Sequence, residues 1–203
     1  MQWCFEQMTP KERYQCLAQA VIPRPIAWVL TANGDADGYN LAPYSFFTVI
    51  SSDPPLVLFS AGKKAAGDEA GEPKDTRRNI LTQETFVIHL PGTAQLQAVQ
   101  DSAATLAHGE SEVAKLGLTT TVFEGFELPR LTDCPVALAC RLHRFDEIGN
   151  APQAVIYGEV EAMYASDAVL DAANGIDPKA MDPLARLGGR DYAQLGALLE
   201  PKP

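Results

Sequence analysis

The polar residues that could do chemistry are concentrated between positions 31 and 79. Five of the sixteen Lys and Arg residues fall between positions 63 and 78, beside hydroxyl and amide side chains that can donate hydrogen bonds. Side chains of these types in one region could hold a phosphate group. The set comprises Thr31, Asn40, Ser45, Ser60, Lys63, Lys64, Lys74, Thr76, Arg77, Arg78 and Asn79.

The sequence K-D-T-R-R-N at 74–79 predicts the beginning of a helix, with Asp75 or Thr76 as its N-cap. The first amides of a helix have no partner within it, and the helix dipole favours an anion at that end. Lys74 and the Thr76 hydroxyl would add donors. A solvated loop explains the same residues, because four acidic residues between positions 68 and 75 nearly balance the bases. Composition alone leaves both interpretations open.

A second candidate segment is Y-N-L-A-P-Y-S-F-F at 39–47. Pro43 cannot donate to a β-ladder, so neighbouring backbone groups are released. Such a segment could present its amides to the edge of a flat heterocycle. The alternative is an ordinary edge strand with core aromatic residues.

The chain lacks the sequence patterns of the common catalytic sites. It contains no GxSxG, P-loop or GxGxxG motif. His89 and His143 each lie in a strand pattern, where a structural role is expected. The absence of a nucleophile–base set favours chemistry performed by a cofactor, with no catalytic side chain.

Cysteine and histidine usage argues against a metal centre. The four cysteines show no CxxC spacing, and only three histidines are present, so we expect neither a zinc site nor a disulfide framework. Reduced thiols in a cytoplasmic protein are the simplest interpretation.

Composition and charge indicate the class of protein and disfavour several kinds of binding partner. The 203 residues, 46% hydrophobic and 21% charged, predict one globular domain with a substantial core. A net charge of −10 disfavours nucleic acid and anionic membrane as partners. No apolar run is long enough for a membrane span, and no secretory signal is visible at the N-terminus.

The apolar patterns predict a mainly β fold with α-helices. Strands are expected at 26–31, 39–42, 44–52, 56–60, 85–90, 134–147 and 154–164. Helices are expected at 10–20, from 75 or 76 through 81, at 94–107, and as broken pieces over 166–199. Turns too short for crossover helices separate the early strands. We therefore predict a Greek-key β-barrel with helices packed outside.

Five linked motifs then identify a family. These are R24-P25-I26-A27-W28-V29-L30-T31, a turn ending at Gly38, N40-L41-A42-P43-Y44-S45-F46-F47, D53-P54-P55, and K74-D75-T76-x-x-N79-I80. Their order and spacing over 23–90 resemble the flavin reductase-like family of FMN-binding split barrels. The resemblance continues more weakly at 156–160 and 182–192. It implies one split-barrel domain over 1–203, with a helical C-terminal extension at 166–203.

The resemblance implies an FMN site, assigned position by position. Residues implied to line the flavin are Thr31, Asn40, Ala42, Pro43, Tyr44, Ser45 and Phe46. Those implied to approach its phosphate or ribityl chain are Ser60, Lys74, Thr76 and Asn79. Arg186 and Tyr192 would bind the second substrate beside the flavin. The family also implies a homodimer with the flavin near the subunit interface.

Two stretches depart from the family pattern. The loop at 62–73 is acidic and rich in Ala, which questions its contribution to phosphate binding. Where family strands often read FVVN, this chain has FVIH at 86–89. His89 could therefore take over a polar contact or face the barrel wall.

The function that the resemblance implies is NAD(P)H-dependent flavin reduction, with hydride passing to flavin N5. NADH and NADPH both stay open as reductant, because no dedicated pocket for a 2′-phosphate is visible. FMN could be a bound cofactor or a diffusing substrate, and free flavin or a partner monooxygenase could accept the electrons. Two alternatives are an FMN-containing electron-transfer protein, flavoredoxin-like, and a non-catalytic flavin-binding module.

Overall fold

A computed structural model describes residues 1–34, 36–64, 69–150 and 153–201. Parts of three predicted turns and loops, at 35, 65–68 and 151–152, lie outside the described residues. Within the described ranges the strands are β1 (Arg24–Pro25), β2 (Ala27–Ala32), β3 (Tyr39–Tyr44), β4 (Phe47–Ser52), β5 (Pro55–Ala61), β6 (Thr85–Leu90), β7 (Thr120–Thr121), β8 (Arg130–Leu131), β9 (Val136–Glu147), β10 (Ala154–Ala165), β11 (Ala185–Arg186) and β12 (Tyr192–Ala193). The α-helices of the same ranges are α1 (Pro10–Ala20), α2 (Asp75–Gln83), α3 (Leu96–Asp101), α4 (Glu112–Lys115) and α5 (Pro178–Met181).

The main sheet has seven antiparallel strands in the order β3-β2-β6-β9-β10-β5-β4. Its two edge strands, β3 and β4, are consecutive in the chain and are separated by only Ser45 and Phe46. The sheet must therefore curl until its edges meet at this corner. The predicted fold, a mainly β Greek-key split β-barrel with peripheral helices, is confirmed, and the long predicted strands lie within two residues of their expected positions.

Strands β2 and β6 are buried on both faces of the sheet, which explains their nearly continuous apolar runs. Along β2, Ala27 and Val29 belong to the barrel interior, where they share a cluster with Phe59 and other aromatic residues. Trp28 and Leu30 belong to an outer cluster covered by the helices and the loops between α3 and β9. The alternation fixes the strand register, because a shift of one residue would exchange the two faces.

Side chains rather than a further strand cover the open edge of β3. Ser111 Oγ donates to the Tyr39 carbonyl at 2.7 Å, and the Leu41 amide donates to Glu112 Oε2 at 2.9 Å. Both residues come from the beginning of α4. The edge strand next to the barrel corner is thereby protected from pairing with another chain.

Local sequence explains where α1 begins, whereas the predicted N-cap of α2, Asp75 or Thr76, is wrong. The predicted helix at 10–20 is α1, which begins with a capping box between Thr9 and Glu12 and has Pro10 in its first turn. Lys74 is the N-cap of α2, without a side-chain cap, and Asp75 is the first helical residue.

The predicted helix at 94–107 is too long. It consists of a 3₁₀ turn at Thr93–Gln95 and α3, which ends at Asp101. At the next residue, Ser102 donates to the Val99 carbonyl at 3.1 Å and accepts from Trp28 Nε1 at 2.9 Å. These bonds hold Ser102 at the outer cluster, and the chain leaves the helix there.

The prediction of helical pieces over 166–199 is wrong for most of that stretch. Helical turns are confined to Asp167–Val169 and α5, and the chain then becomes extended. Residues 182–193, which we call the C-terminal strap, contain β11 and β12, and β11 pairs with β1. The strap packs closely on α1, since a Cβ at Gly188 would collide with the Gln19 side chain. Tertiary pairing with a strand far away in the chain overrides local helix propensity here.

His89 faces the outer side of the sheet and is fully buried. Its Nδ1 lies 3.1 Å from the Trp28 carbonyl, and the Leu131 amide donates to its Nε2 at 2.8 Å. These partners require a neutral ring with the proton on Nδ1. Burial lowers the pKa of His89 to about 4. The departure from the family strand is therefore a structural contact that joins the 119–135 loop to the barrel.

The buried neutral state of His89 predicts sensitivity to acid. Its pKa of about 4 in the folded chain lies below the ordinary value of 6.5. The unfolded chain therefore binds the extra proton first, and stability is complete above pH 6.5 and falls towards pH 4. We expect a loss of about 3 kcal/mol over this interval, measured by urea unfolding.

The His89→Gln variant should lose this pH dependence, whatever its stability at neutral pH. The control is His143→Gln, because the His143 side chain is 40% exposed. Equal pH slopes for the wild type and His89→Gln would contradict the assignment.

Candidate functional site

A cleft of about 440 Å³ opens where the barrel corner, the beginning of α2 and the C-terminal strap meet. Eight of the residues assigned from the sequence lie on its wall, although 149 positions separate the first from the last. They are Pro43, Tyr44, Ser45, Phe46, Ser60, Lys74, Arg186 and Tyr192. The fold thus gathers the strand, helix and C-terminal motifs around one space.

A smaller side pocket of about 50 Å³ adjoins the cleft and shares Pro43, Tyr44, Lys74 and Ala103 with it. Three further predicted residues line this pocket, namely Asn40, Ala42 and Thr76. The pocket lies at the beginning of α2, where the first-turn amides have no helical partner.

Thr31 and Asn79 lie behind the wall of the described cavities. Asn79 Nδ2 donates to Thr31 Oγ1 at 3.0 Å, and Asn40 Nδ2 donates to Thr76 Oγ1 at 2.8 Å. Asn40 also approaches Thr31 Oγ1 at 3.4 Å, so the four buried side chains form one network. This network fixes the first turn of α2 against β2 and β3.

The cleft is cationic in a strongly anionic protein. Its described wall contains Lys63, Lys74 and Arg186 and no Asp or Glu, whereas the chain as a whole carries −10. Local positive potential of this kind attracts an anion despite the repulsive far field.

Lys74 is the central cation of the wall. Its Nζ lies 5.6 Å from the centre of the Tyr44 ring, and no carboxylate of the described residues lies within ion-pair distance. Burial lowers the pKa of Lys74, since desolvation penalises the ammonium. A bound anion would offset this penalty.

Tyr44 supplies a second donor without a partner. Its ring packs on Phe59 with centroids 5.1 Å apart, while its buried hydroxyl has no hydrogen-bond partner among the described residues. Burial raises the pKa of Tyr44, so the hydroxyl keeps its proton. Tyr44 lines both the cleft and the side pocket, and a buried donor without a partner in such a wall is consistent with a ligand site.

Three of the other four bases of the 63–78 region are compensated within the chain, and the fourth, Lys63, is exposed without an ion pair among the described residues. Lys64 is buried and pairs with Glu69 at 2.7 Å and Asp75 at 2.9 Å. Arg78 pairs with Asp75 at 3.2 Å, and Arg77 pairs with Glu147. The local balance of charge noted in the sequence therefore applies to these three bases and leaves Lys74 out.

Arg24 ties together the segments that form the cleft. It is 7% exposed, and its guanidinium donates to the carbonyls of Ala18, Val21 and Leu187, with distances of 2.8 Å to Val21 and 2.9 Å to Leu187. Its Nε lies 3.3 Å from Ser45 Oγ. One side chain thus joins the end of α1, the barrel corner and the strap.

The strap forms one wall of the cleft. The Arg186 guanidinium lies 4.4 Å from the centre of the Tyr192 ring and donates to the Gly189 carbonyl at 2.6 Å. Its Nη1 is buried and unpartnered within the described part of the chain. Tyr192 is fixed in turn by its hydroxyl, which donates to Gln100 Oε1 at 3.0 Å.

Three polar side chains of the wall were missed in the sequence, namely Tyr14, Gln100 and Gln153. Tyr14 lies on α1, outside the family motifs, and reaches the corner through its ring contact with Phe46 at 5.6 Å. Its position on an exposed helix gives no local signal. Gln100 could have been found only from its contact with Tyr192, which is 92 positions away.

Comparisons with known proteins agree with this geometry. The family model described as "Flavin reductase like domain" matches residues 19–185. The uncharacterized protein YwrF of Bacillus subtilis is 34% identical over 196 residues, which cover 94% of this chain and 93% of YwrF. The crystal structure of nitrilotriacetate monooxygenase component B from Bacillus cereus superposes on this chain with a TM-score of 0.90 and a sequence identity of 29%. The superposition covers 99% of this chain and 98% of that chain. The 2-nitrobenzoate 2-nitroreductase NbaA of Pseudomonas fluorescens superposes with a TM-score of 0.86 and a sequence identity of 25%. This superposition covers 100% of this chain and 95% of that chain.

The described residues also include no helix long and apolar enough to cross a membrane. Nor do those residues form any group of three or more His, Cys, Asp or Glu side chains that could hold a metal ion.

Proposed function

We propose that this chain, which belongs to the flavin reductase-like domain family, binds FMN in the cleft and transfers hydride from NADH or NADPH to it. The observation that carries the proposal is the cationic cleft wall with Lys74 and the Tyr44 hydroxyl both unpartnered among the described residues. A flavin mononucleotide has the matching chemistry, since it combines a flat ring with a phosphate.

The residues present fit FMN. Lys74, Thr76 and the first-turn amides of α2 would hold the phosphate, because ammonium, hydroxyl and amide donors meet at a helix N-terminus. The backbone of Ala42–Phe46 would meet the ring at the barrel corner. The bound flavin would supply the hydride-accepting atom N5.

The chain itself contributes binding, orientation and exclusion of water. Hydride transfer between two cofactors needs no side-chain base, so aligned binding of the two rings is the main requirement. We assign Arg186 to the phosphates of the nicotinamide nucleotide and Tyr192 to the cleft wall above the flavin. The Gln100 contact and the Arg24 bond to Leu187 hold both residues in place.

The electrons then pass to an acceptor. The Bacillus cereus neighbour is by its name a component of a monooxygenase. We propose a partner monooxygenase, another redox protein or free flavin as acceptor, in a cytoplasmic setting. The net charge of −10 also fits an FMN electron carrier that docks on a basic partner, but such a carrier needs no nicotinamide site at Arg186.

A homodimer is part of the proposal. Exposed apolar side chains occur on α1 and its end and on β4, with Val49 72%, Val21 61% and Leu17 50% exposed. Surfaces of this kind favour burial against a second copy. Light scattering should give about twice the chain mass, and FMN should raise the stability of the dimer. A monomer with full flavin affinity would contradict this assembly.

The Lys74→Ala variant tests the phosphate site. Loss of a charged donor should weaken FMN binding by about 1.5–3 kcal/mol, measured by calorimetric titration. Riboflavin lacks the phosphate and should bind the variant and the wild type equally. The control is Lys179→Ala, on exposed α5. Equal losses for FMN and riboflavin would assign Lys74 to the ring or to folding.

The Arg186→Ala variant tests the nicotinamide site. We expect the KM for NADPH or NADH to rise about tenfold while FMN affinity is kept. A point variant is preferable to truncation, since removal of the strap would also remove buried Leu184 and a partner of Arg24. The matched control is Arg190→Ala, an exposed strap residue. An unchanged KM in Arg186→Ala would remove Arg186 from the site.

A further inference from the structure

The side pocket proposed for the flavin phosphate contains acids as well as bases. Asp75 and Glu112 line it together with Lys64 and Lys74. A carboxylate beside a bound phosphate repels it unless a cation or a proton compensates the carboxylate. The way in which each of these two acids is compensated therefore decides how the pocket can hold an anion.

Asp75 is compensated by bases. Its carboxylate lies 2.9 Å from Lys64 Nζ, 3.2 Å from Arg78 Nη1 and 2.6 Å from His108 Nδ1. Lys64 also pairs with Glu69 at 2.7 Å. The bases on this side of the pocket are thus engaged by Asp75 and Glu69.

Glu112 has no such partner. It is 6% exposed, and in the described part of the chain it forms no ion pair. The Leu41 amide donates to its Oε2 at 2.9 Å, which fixes the carboxyl in the wall of the side pocket. Burial raises the pKa of Glu112, because desolvation penalises the carboxylate. A second negative charge in the pocket would strengthen its hold on a proton.

The neighbouring groups do not supply the missing positive charge. Lys64 is engaged, and the pKa of Tyr44 is raised by burial, so its hydroxyl stays neutral. Lys74 is the cation that a bound phosphate would take. The charged and titratable side chains that line the side pocket, or the cavity on the other side of Glu112 between α3 and α4, are Tyr44, Lys64, Lys74, Asp75, Asp101 and Lys115. Asp101 and Lys115 are exposed, so water screens them.

We propose that Glu112 is a further ligand of the FMN phosphate and that FMN binding takes up one proton, which the Glu112 carboxyl and a phosphate oxygen share. This inference rests on the proposed function, since it requires the phosphate in the side pocket. A free phosphate monoester loses its second proton with a pKa of about 6, so above neutral pH the shared proton comes from the solvent. Lys74, Thr76 and the Tyr44 hydroxyl would donate to the other phosphate oxygens.

Proton uptake can be measured directly by calorimetric titration with FMN at about pH 7.5. The titration is repeated in buffers that differ in their enthalpy of ionisation, and the dependence of the observed heat on that enthalpy gives the number of protons taken up. We expect about one proton for the wild type and about none for Glu112→Gln. The glutamine oxygen can still accept from the Leu41 amide, so the fold is kept.

The affinity for FMN should follow the same linkage. Between about pH 7.5 and about pH 8.5 we expect the wild-type affinity to fall about tenfold and that of Glu112→Gln to stay within about twofold. Riboflavin has no phosphate and should take up no proton with either protein. The matched control is Glu124→Gln, an exposed residue that lines none of the described cavities, and it should behave as the wild type does.

Two results would overturn the role of Glu112 while leaving the proposed function intact. One is tight binding of FMN by the wild type without proton uptake, which needs no variant to be observed. The other is an uptake that persists in Glu112→Gln, which would assign the proton to Lys74, whose pKa is lowered by burial. Failure of the wild type to bind FMN would instead overturn the proposed function.

Discussion

The Arg24 guanidinium is buried without a carboxylate beside it in the described part of the chain, so backbone carbonyls must satisfy its donors. A buried cation is tolerated only when its hydrogen-bonding groups are occupied. The partners lie at the end of α1, at the barrel corner and in the C-terminal strap. These same segments supply Tyr14, Ser45, Phe46, Arg186 and Tyr192 to the cleft. The requirement to satisfy Arg24 therefore assembles much of the cleft wall.

The lysines near the cleft differ in whether an acidic side chain pairs with them. Lys64 has two carboxylate partners, Glu69 and Asp75, and it thereby joins Glu69 to the beginning of α2. Lys74, ten residues later, has none among the described residues and lines both cavities of the site. The helix dipole of α2 adds to the positive potential there. The proposed anion site thus depends chiefly on Lys74, which has no ion-pair partner among the described residues.

The barrel strands could be predicted from the sequence because local patterns determine them. Apolar runs predict β2 and β6 as buried strands, and turn residues around Asp53 predict where the chain reverses. Each of these signals lies within a short stretch of sequence. The strap could not be predicted in this way. Its extended form depends on pairing between Arg186 and Arg24, which are 162 positions apart, and on close packing of Gly188 against α1.

The sequence likewise predicts some residues of the candidate site and not others. The family motifs indicated Lys74, Thr76 and the Ala42–Phe46 corner, and the structure brings these residues together around the cleft and its side pocket. Motif matching does not separate wall residues from those behind the wall. Thr31 and Asn79 belong to the motifs, yet their side chains bind each other between β2 and α2, behind the cavity walls. Tyr14 and Gln100 lie outside every motif and reach the cleft only through tertiary contacts.

We propose that the cleft aligns a flavin with a nicotinamide nucleotide so that hydride passes between them. Anaerobic stopped-flow mixing of the FMN-loaded protein with NADPH or with NADH tests it directly, by following the visible absorbance of the oxidised flavin. We expect rapid loss of that absorbance with at least one nucleotide, at a rate that saturates with nucleotide concentration. A flavin that stays bound and is reduced by neither nucleotide faster than FMN in free solution would contradict the account.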